Sequence, residues 1–198
     1  NQSYLYYWFS GNTWNKIISK DPSQYDDEYL SYYINFLKSL SLRLDETTIN
    51  LFYLEKSNSF PLIENTLEFY NHVDSMVRSV VRNIVLNVLK IKDNGIQKYF
   101  MKLPAISYFS DLVCHLRDIC LNINEELINN DINKINYIFD DLIDETMYID
   151  DLLNLNLNKI NYILLNNLFY YFIIPIIFGS ICSKNNSLTK QLAIFFLI

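Results

Sequence analysis

Glycine and proline are scarce in this chain, whose 198 residues include 3 glycines and 4 prolines. Sandwiches and barrels of β-strands need many turns with the backbone angles that these residues favour, so the shortage argues against both. Because 51% of the residues are hydrophobic, the chain can bury a sizeable core, and a disordered chain is excluded as well. The composition therefore predicts an all-α protein.

Paired cysteines and an excess of basic residues are also missing. Cys114, Cys120 and Cys182 form neither a CxxC pair nor an even-numbered set, which favours reduced thiols buried as small apolar side chains. The net charge of −6 has the wrong sign for binding nucleic acid or an anionic membrane. Nine acids and one base, Lys134, lie within residues 121–151. We interpret this segment as a solvated helix face, with a surface for a basic partner as the alternative.

Aspartates mark the starts of several predicted helices. Five of them precede stretches with helical periodicity, as N-cap residues do: Asp26, Asp45, Asp74, Asp93 and Asp131. The predicted helices span residues 29–44, 46–55, 61–70, 75–90, 94–102, 106–123, 133–155, 158–178 and 187–198. No strand pattern competes with them.

The segment 75–90 has the clearest helical pattern. Its apolar residues follow the spacing of a single buried stripe, and they are Val77, Val80, Val81, Ile84 and Val88. Arg78 and Arg82 lie off that stripe. The segment looks like the second helix of a HEAT or armadillo repeat, although no period of about 40 residues can be read. We therefore predict an armadillo/HEAT-like solenoid with degenerate repeats.

Residues 168–182 form the most apolar run, interrupted by Pro175 and Gly179. The run is shorter than the roughly 20 residues needed to cross a bilayer, so we predict a buried helix pair or a kinked core helix. A membrane anchor is the alternative. The first residue is Asn1, and residues 192–198 read LAIFFLI. From these ends we expect one helical module, residues 1–198, cut from a longer protein.

Motifs that would carry chemistry are weak. Asp140, Asp141 and Asp144 form a DDxxD motif, the spacing that holds magnesium and a diphosphate in helical isoprenoid synthases. That chemistry also needs nearby cations and a second metal motif, so a solvated acidic face is the preferred interpretation. Cys114 and His115 are neighbours in sequence and point about 100° apart on a helix. We predict no catalytic residues, no metal and no cofactor.

A resemblance carries the functional interpretation. Residues 32–44 resemble the opening of the FPL domain, and Phe60, Pro61 and Leu62 resemble the motif that names it. The most distinctive block follows in order and spacing: residues 69–72 (FYNH), 75–78 (SMVR), 81–82 (VR) and 86–88 (LNV). Residues 108–113, 151–153 and 168–177 resemble later parts of the domain, which would span about residues 25–178. The family is that of C-type lectin domain family sixteen member A, endosomal maturation defective and transparent testa nine.

The resemblance implies a cytosolic protein held peripherally on endosomal or Golgi membranes. It implies a non-catalytic scaffold in endosome-to-lysosome traffic, autophagy and mitochondrial clearance. Implied partners are the late-endosome tethering complex, Rab-type GTPases and ubiquitin ligases. A component or regulator of a ubiquitin ligase is the alternative, although nothing here resembles the paired zinc ligands of a RING domain.

The motif residues also suggest an interaction surface. Phe60, Pro61 and Leu62 are expected to end an exposed connection and to start a helix, with Pro61 in the first turn. In a solenoid, loops between helices and polar helix faces line the groove that binds partners. The candidate partner-binding residues are Phe60, Pro61, Leu62, Asn71, His72, Arg78 and Arg82. In the alternative, Phe60 and Leu62 pack at the helix start, and Arg78 bridges to Asp45 or Asp111.

Overall fold

The computed structural model of the protein describes residues 13–19, 26–129, 132–182 and 190–196. These residues form helices joined by turns, and the all-α prediction is confirmed for them. Extended backbone pairs only at one isolated antiparallel bridge in this part of the chain, between Leu54 and Ser59. The chain divides into two compact units, Asn1–Ala105 and Ile106–Ile198. The solenoid and the single module both stay predictions.

The first unit contains five α-helices among its described residues. They are α1 (Thr13–Ile18), α2 (Asp27–Ser41), α3 (Pro61–Leu67), α4 (Ser75–Lys90) and α5 (Asn94–Phe100), with a 3₁₀ turn at Ile49–Leu51. Helix α4 packs against α2, α3 and α5. Between α4 and α2, the side-chain amide of Asn87 donates a hydrogen bond of 3.1 Å to the Ser41 hydroxyl.

Three of the five predicted aspartate caps are confirmed. Asp26, Asp74 and Asp93 each accept a hydrogen bond from a backbone N–H in the first turn of α2, α4 and α5. Such bonds satisfy N–H groups that have no partner within the helix. Asp131 lies outside the described residues.

Asp45 does not cap an α-helix, and the predicted helix 46–55 is wrong. Asp45 Oδ1 instead accepts hydrogen bonds from the backbone N–H and the hydroxyl of both Thr47 and Thr48. These hydrogen bonds hold the pKa of Asp45 at about 2, below its ordinary value. A side chain that satisfies the backbone locally favours a turn over a helix, and only the 3₁₀ turn at Ile49–Leu51 follows.

The predicted stripe of α4 is buried with one exception. Val77, Val81, Ile84 and Val88 are buried, whereas Val80 is half-buried. Val80 was expected to be buried, but it lies at the edge of the covered sector of the helix. Burial extends around the other side to Val85, Leu86 and Leu89, because three helices surround α4.

An aromatic cluster joins the start of α3, helix α5 and the segment that precedes α3. The rings of Phe60 and Tyr99 lie 5.7 Å apart, and Tyr53 lies within 5.9 Å of both. A Cβ atom on Gly95 would lie 3.1 Å from the Tyr53 ring and 3.0 Å from Asp93 Oδ1, so a side chain here would have to displace one of these neighbours slightly. The absence of a side chain at Gly95 lets the capped end of α5 approach Tyr53.

The second unit is built on two long antiparallel helices, α6 (Ser107–Asn129) and α7 (Ile132–Asn154). They are followed by α8 (Asn158–Asn167), a π-helical segment (Leu168–Phe178), α9 (Gly179–Cys182) and α10 (Lys190–Phe195). The turn after α7 places Asn156 at a φ of 56°. The side-chain amide of Asn161 donates a 2.7 Å bond to the Leu153 carbonyl across this turn.

The predicted burial of residues 168–182 is largely wrong. The segment is helical, as expected, but of its residues the structure buries Phe172, Ile177 and Ser180. A π-helix has more residues per turn than an α-helix, which spreads the apolar side chains around the axis. Contacts with α6, α8, α9 and α10 cover one side. Pro175, which has no N–H to donate, lies inside this segment.

We expect Phe60→Ala to lower the free energy of unfolding by about 3–5 kcal/mol, because Phe60 is fully buried among aromatic rings. The control is Tyr32→Ala, since Tyr32 is 68% exposed on α2 and exposed substitutions change stability by roughly 0.5 kcal/mol or less. Denaturant unfolding of both variants makes the comparison. Equal midpoints would contradict the burial of Phe60.

Thiol reactivity gives a second test. Burial raises the pKa of the Cys120 thiol to about 12. Cys114 is half-buried and Cys182 is exposed, so the predicted burial of the thiols is wrong for Cys182. The thiolate is the reactive form, so at pH 8 Cys182 should react rapidly with a disulfide reagent and Cys120 only in denaturant. Cys182→Ser should remove the fast reaction. A fast reaction that persists in Cys114→Ser/Cys182→Ser would show that Cys120 is accessible.

Candidate functional site

The Phe60–Pro61–Leu62 motif starts α3, as predicted, but its side chains are not exposed. All three residues are buried, and Phe60 and Leu62 are 0% exposed. The expectation of an exposed connection is therefore wrong at this motif. The aromatic cluster encloses Phe60, which leaves its ring no surface to offer a partner.

Glu64 completes the start of α3. Its carboxylate accepts a 2.8 Å bond from the backbone N–H of Phe60 and a 3.3 Å bond from the Ser59 hydroxyl. Pro61 needs no acceptor because proline has no N–H. Burial raises the pKa of the Tyr99 hydroxyl above its ordinary value, and the nearby Glu64 carboxylate raises it further. The motif thus joins a helix start to the core.

Arg78 clamps the loop that precedes α4. Its Nη1 donates hydrogen bonds of 2.9 Å to the His72 carbonyl and 3.0 Å to the Val73 carbonyl. Asp74, in the same loop, caps α4 through a 2.8 Å bond from the N–H of Met76. Residues 71–78 of the FYNH–SMVR block therefore combine the loop with the first turn of α4, and we name them the Arg78 clamp.

The remaining candidates of this block lie beside the clamp. His72 Nδ1 accepts a 3.1 Å bond from the N–H of Asp74, and its ring packs 6.4 Å from Phe69. The Asn71 amide donates a 2.7 Å bond to the Tyr70 hydroxyl. Arg82 follows Arg78 by one turn and is half-buried. Asn71, His72, Arg78 and Arg82 thus lie in one region, whereas Phe60 and Leu62 belong to the core.

Two apolar side chains at the Arg78 clamp are strongly exposed. Val73 is 89% exposed and Met76 is 76% exposed. We call this pair the clamp surface. Val73 and Met76 are absent from the residues predicted as candidates from the sequence, although both are apolar and lie outside the buried stripe that begins at Val77. Apolar residues off the stripe at a helix start were the available signal.

The acidic residues of α7 are mostly solvated, as preferred, but Glu145 is buried. On α7, Asp140 and Asp144 are exposed and Asp141 is half-buried. At its N-terminal end, Lys134 lies 3.6 Å from Glu126 of α6. Within the described residues, no group of three or more His, Cys, Asp or Glu side chains could hold a metal ion. The geometry gives the diphosphate hypothesis no support.

A different polar cluster lies between α6 and α7. Glu145 is 0% exposed, and its Oε2 lies 3.9 Å from Nε2 of His115. One turn along α7 from Glu145 and two turns along α6 from His115, the hydroxyls of Tyr148 and Tyr108 share a hydrogen bond of 2.6 Å. His115 therefore pairs across to α7 rather than acting with its neighbour Cys114.

The second unit also exposes an uncharged face. Residues 160–182 contain no Asp, Glu, Lys or Arg, and seven apolar side chains from α8 to the π-helical segment are at least 42% exposed. We call them the apolar face: Tyr162, Leu165, Phe169, Tyr170, Tyr171, Ile174 and Phe178. By length and composition the helix Asn158–Cys182 could cross a membrane, and 22% of its most apolar 18-residue window is buried.

Comparison with known proteins identifies relatives of the chain. The model of a family described as FPL, an uncharacterised conserved protein, matches residues 1–89. Protein CLEC16A of Homo sapiens is 34% identical over 184 residues, which cover 89% of this chain. The CLEC16A homolog of Drosophila melanogaster is 32% identical over 180 residues, also 89% of this chain. Protein TRANSPARENT TESTA 9 of Arabidopsis thaliana is 26% identical over 190 residues, 91% of this chain.

The relatives are much longer than the matched region. The alignments cover 17% of the human and fly proteins and 23% of the Arabidopsis protein. The chain thus spans less than a quarter of the length of these relatives. No solved structure matches the chain.

We expect Arg78→Ala to lower the free energy of unfolding by about 1–3 kcal/mol, because two backbone carbonyls lose a charged donor. Arg78→Lys should recover part of this loss, since an ammonium can reach one carbonyl but lacks the planar fork. Lys90→Ala, an exposed cation on the same helix, is the control. If Arg78→Ala melts like Lys90→Ala, the clamp contributes no stability.

Proposed function

We infer from these similarities that the chain belongs to the FPL-domain family, and we propose that it is a non-catalytic helical scaffold in membrane traffic. The proposed role is to promote endosome-to-lysosome traffic, autophagy and mitochondrial clearance by holding other proteins together. The proposed place of action is the cytoplasmic surface of endosomal and Golgi membranes. The matched relatives span more sequence than this chain, so the chain would supply one binding module of such a scaffold.

The apolar face is the observation that carries this proposal. Extensive exposed apolar surface usually marks a site where a protein meets a partner or a membrane. Aromatic side chains are favoured at such sites because a large contact area becomes ordered at a small entropic cost. A scaffold needs surfaces of this kind and does not need a constellation of catalytic groups.

The packing of residues 168–182 favours a peripheral position over a membrane span. Phe172, Ile177 and Ser180 are buried, and the π-helical segment contacts α6, α8, α9 and α10. A span surrounded by lipid would have to give up these contacts. The proposed partners are the late-endosome tethering complex, a Rab-type GTPase or a ubiquitin ligase.

Proximity labelling by the full-length protein in its own cells tests the proposal. We expect enrichment of late-endosomal and Golgi proteins, and we expect Tyr170→Ser/Tyr171→Ser to reduce their capture severalfold with an unchanged melting temperature. Both tyrosines are at least 50% exposed, so their loss should leave the core intact. Val73→Ser/Met76→Ser tests the clamp surface in the same way.

Tyr137→Ser is the matched control, because Tyr137 is 64% exposed on α7 and lies outside both surfaces. Equal capture by all variants would contradict a role for these surfaces. If the labelled proteins include no endosomal or Golgi proteins, the proposed role in membrane traffic is contradicted. Alkaline carbonate should release the protein from membranes, whereas retention would indicate an anchor instead of a peripheral scaffold.

A further inference from the structure

A carboxylate lies at the centre of the interface between α6 and α7. Glu145 shares a helix face with Leu142, Ile149 and Leu152, all of which are buried. Glutamate is almost never fully buried unless it is paired, and an isolated ionised carboxylate inside a protein is strongly unfavourable. Glu145 therefore requires compensation by charge, by hydrogen bonds or by a bound proton.

His115 is the titratable group placed to provide that compensation. Its Nε2 lies 3.9 Å from Glu145 Oε2, and its side chain is 28% exposed. This partial exposure lets the imidazole ring exchange protons with solvent, whereas the Glu145 side chain has no contact with solvent. The 2.6 Å hydrogen bond between the Tyr108 and Tyr148 hydroxyls joins the same two helices, one turn from Glu145 and two turns from His115.

Other titratable groups near this pair belong mainly to the same two helices. On α6, Asp111 lies one turn before His115, and burial raises the pKa of Asp111 above its ordinary value. Arg117 and Asp118 pair with each other at 3.1 Å. On α7, Asp141 lies one turn before Glu145 and is half-buried.

The other elements that pack on α6 add no buried titratable group among their described residues. From α8 to α9 these groups are Lys159, Tyr162, Tyr170, Tyr171 and Cys182, and all five are exposed. Among the described residues of these elements, Glu145 is thus the fully buried carboxylate, and His115 is its titratable neighbour across the interface.

We propose that Glu145 and His115 hold one proton between them when α6 and α7 are packed, which makes this helix pair a pH-sensitive clamp. The proton count is the same for an imidazolium with a carboxylate and for a neutral imidazole with a carboxylic acid. Loss of that proton leaves a buried carboxylate beside a neutral ring. Packing of α6 on α7 then weakens.

The direction of the pH effect follows from counting protons. In the unfolded chain glutamate titrates at about 4.3 and histidine at about 6.5. Above about pH 6.5 the unfolded pair binds no proton while the folded pair binds one, so stability falls as pH rises. Between about 4.3 and 6.5 both states bind one proton, and stability is level with respect to this pair.

Equilibrium unfolding of the 198-residue chain from pH 5 to pH 8.5 tests the proposal. From about pH 6.5 upward we expect the folded-to-unfolded ratio to fall by up to tenfold per pH unit. In Glu145→Gln the part of this fall that belongs to the pair should be lost. Asp144→Asn, an exposed acid next to Glu145, and Asp111→Asn should both retain it.

Proton NMR provides a second measurement, the titration of His115, which should not change if Glu145 has only a structural role. The chain has 2 histidines, so His72→Gln assigns the two ring signals and leaves that of His115. We expect the midpoint of the His115 titration to move to lower pH in Glu145→Gln. An unchanged midpoint, or the same fall of stability with pH in Glu145→Gln as in the unaltered chain, would overturn the proposal. If Glu145→Gln fails to fold, a flat stability from pH 6.5 to 8.5 in the unaltered chain overturns it instead.

Discussion

Every α-helix begins with backbone N–H groups that have no partner inside the helix, and the first unit depends on side chains to satisfy them. A chain with 3 glycines and 4 prolines has few residues that end or turn a helix by backbone geometry alone. Carboxylates take over this task at Asp26, Asp74 and Asp93, and Glu64 serves the start of α3. These bonds stabilise the starts of α2, α3, α4 and α5, the helices that pack around the core of the first unit.

The residues that identify the family in sequence mostly serve these helix starts. Phe60 anchors the beginning of α3 in the aromatic cluster, and Arg78 holds the carbonyls of the loop before α4. A motif of this kind specifies the fold, and its conspicuous side chains are the ones least available to a partner. Contact surfaces are therefore better sought beside the motif, where Val73 and Met76 are exposed.

The sequence predicted what depends on local periodicity and missed what depends on tertiary context. Helix Ser75–Lys90 has the predicted ends, because a cap, a stripe and a final lysine all agree there. The helix predicted at residues 46–55 is wrong because an apolar pattern cannot show that Asp45 will accept hydrogen bonds from Thr47 and Thr48. Residues 168–182 are apolar all around, so periodicity cannot tell which side the other helices cover. Glu145 could have been found, since it lies on the stripe of Leu142, Ile149 and Leu152.

The second unit places polar and apolar groups against the usual rule at two locations. A carboxylate is fully buried between α6 and α7, while aromatic side chains from α8 to the π-helical segment are exposed. Both arrangements lower the stability that the unit could reach. Burying a charge opposes folding, and the exposed part of an aromatic ring contributes no hydrophobic stabilisation. Helix α6 packs against both α7 and the π-helical segment, so it carries the buried pair and supports the apolar face. A change in the packing of α6 on α7 would therefore act on the helix beneath that face, which gives proton binding a physical route to a contact surface.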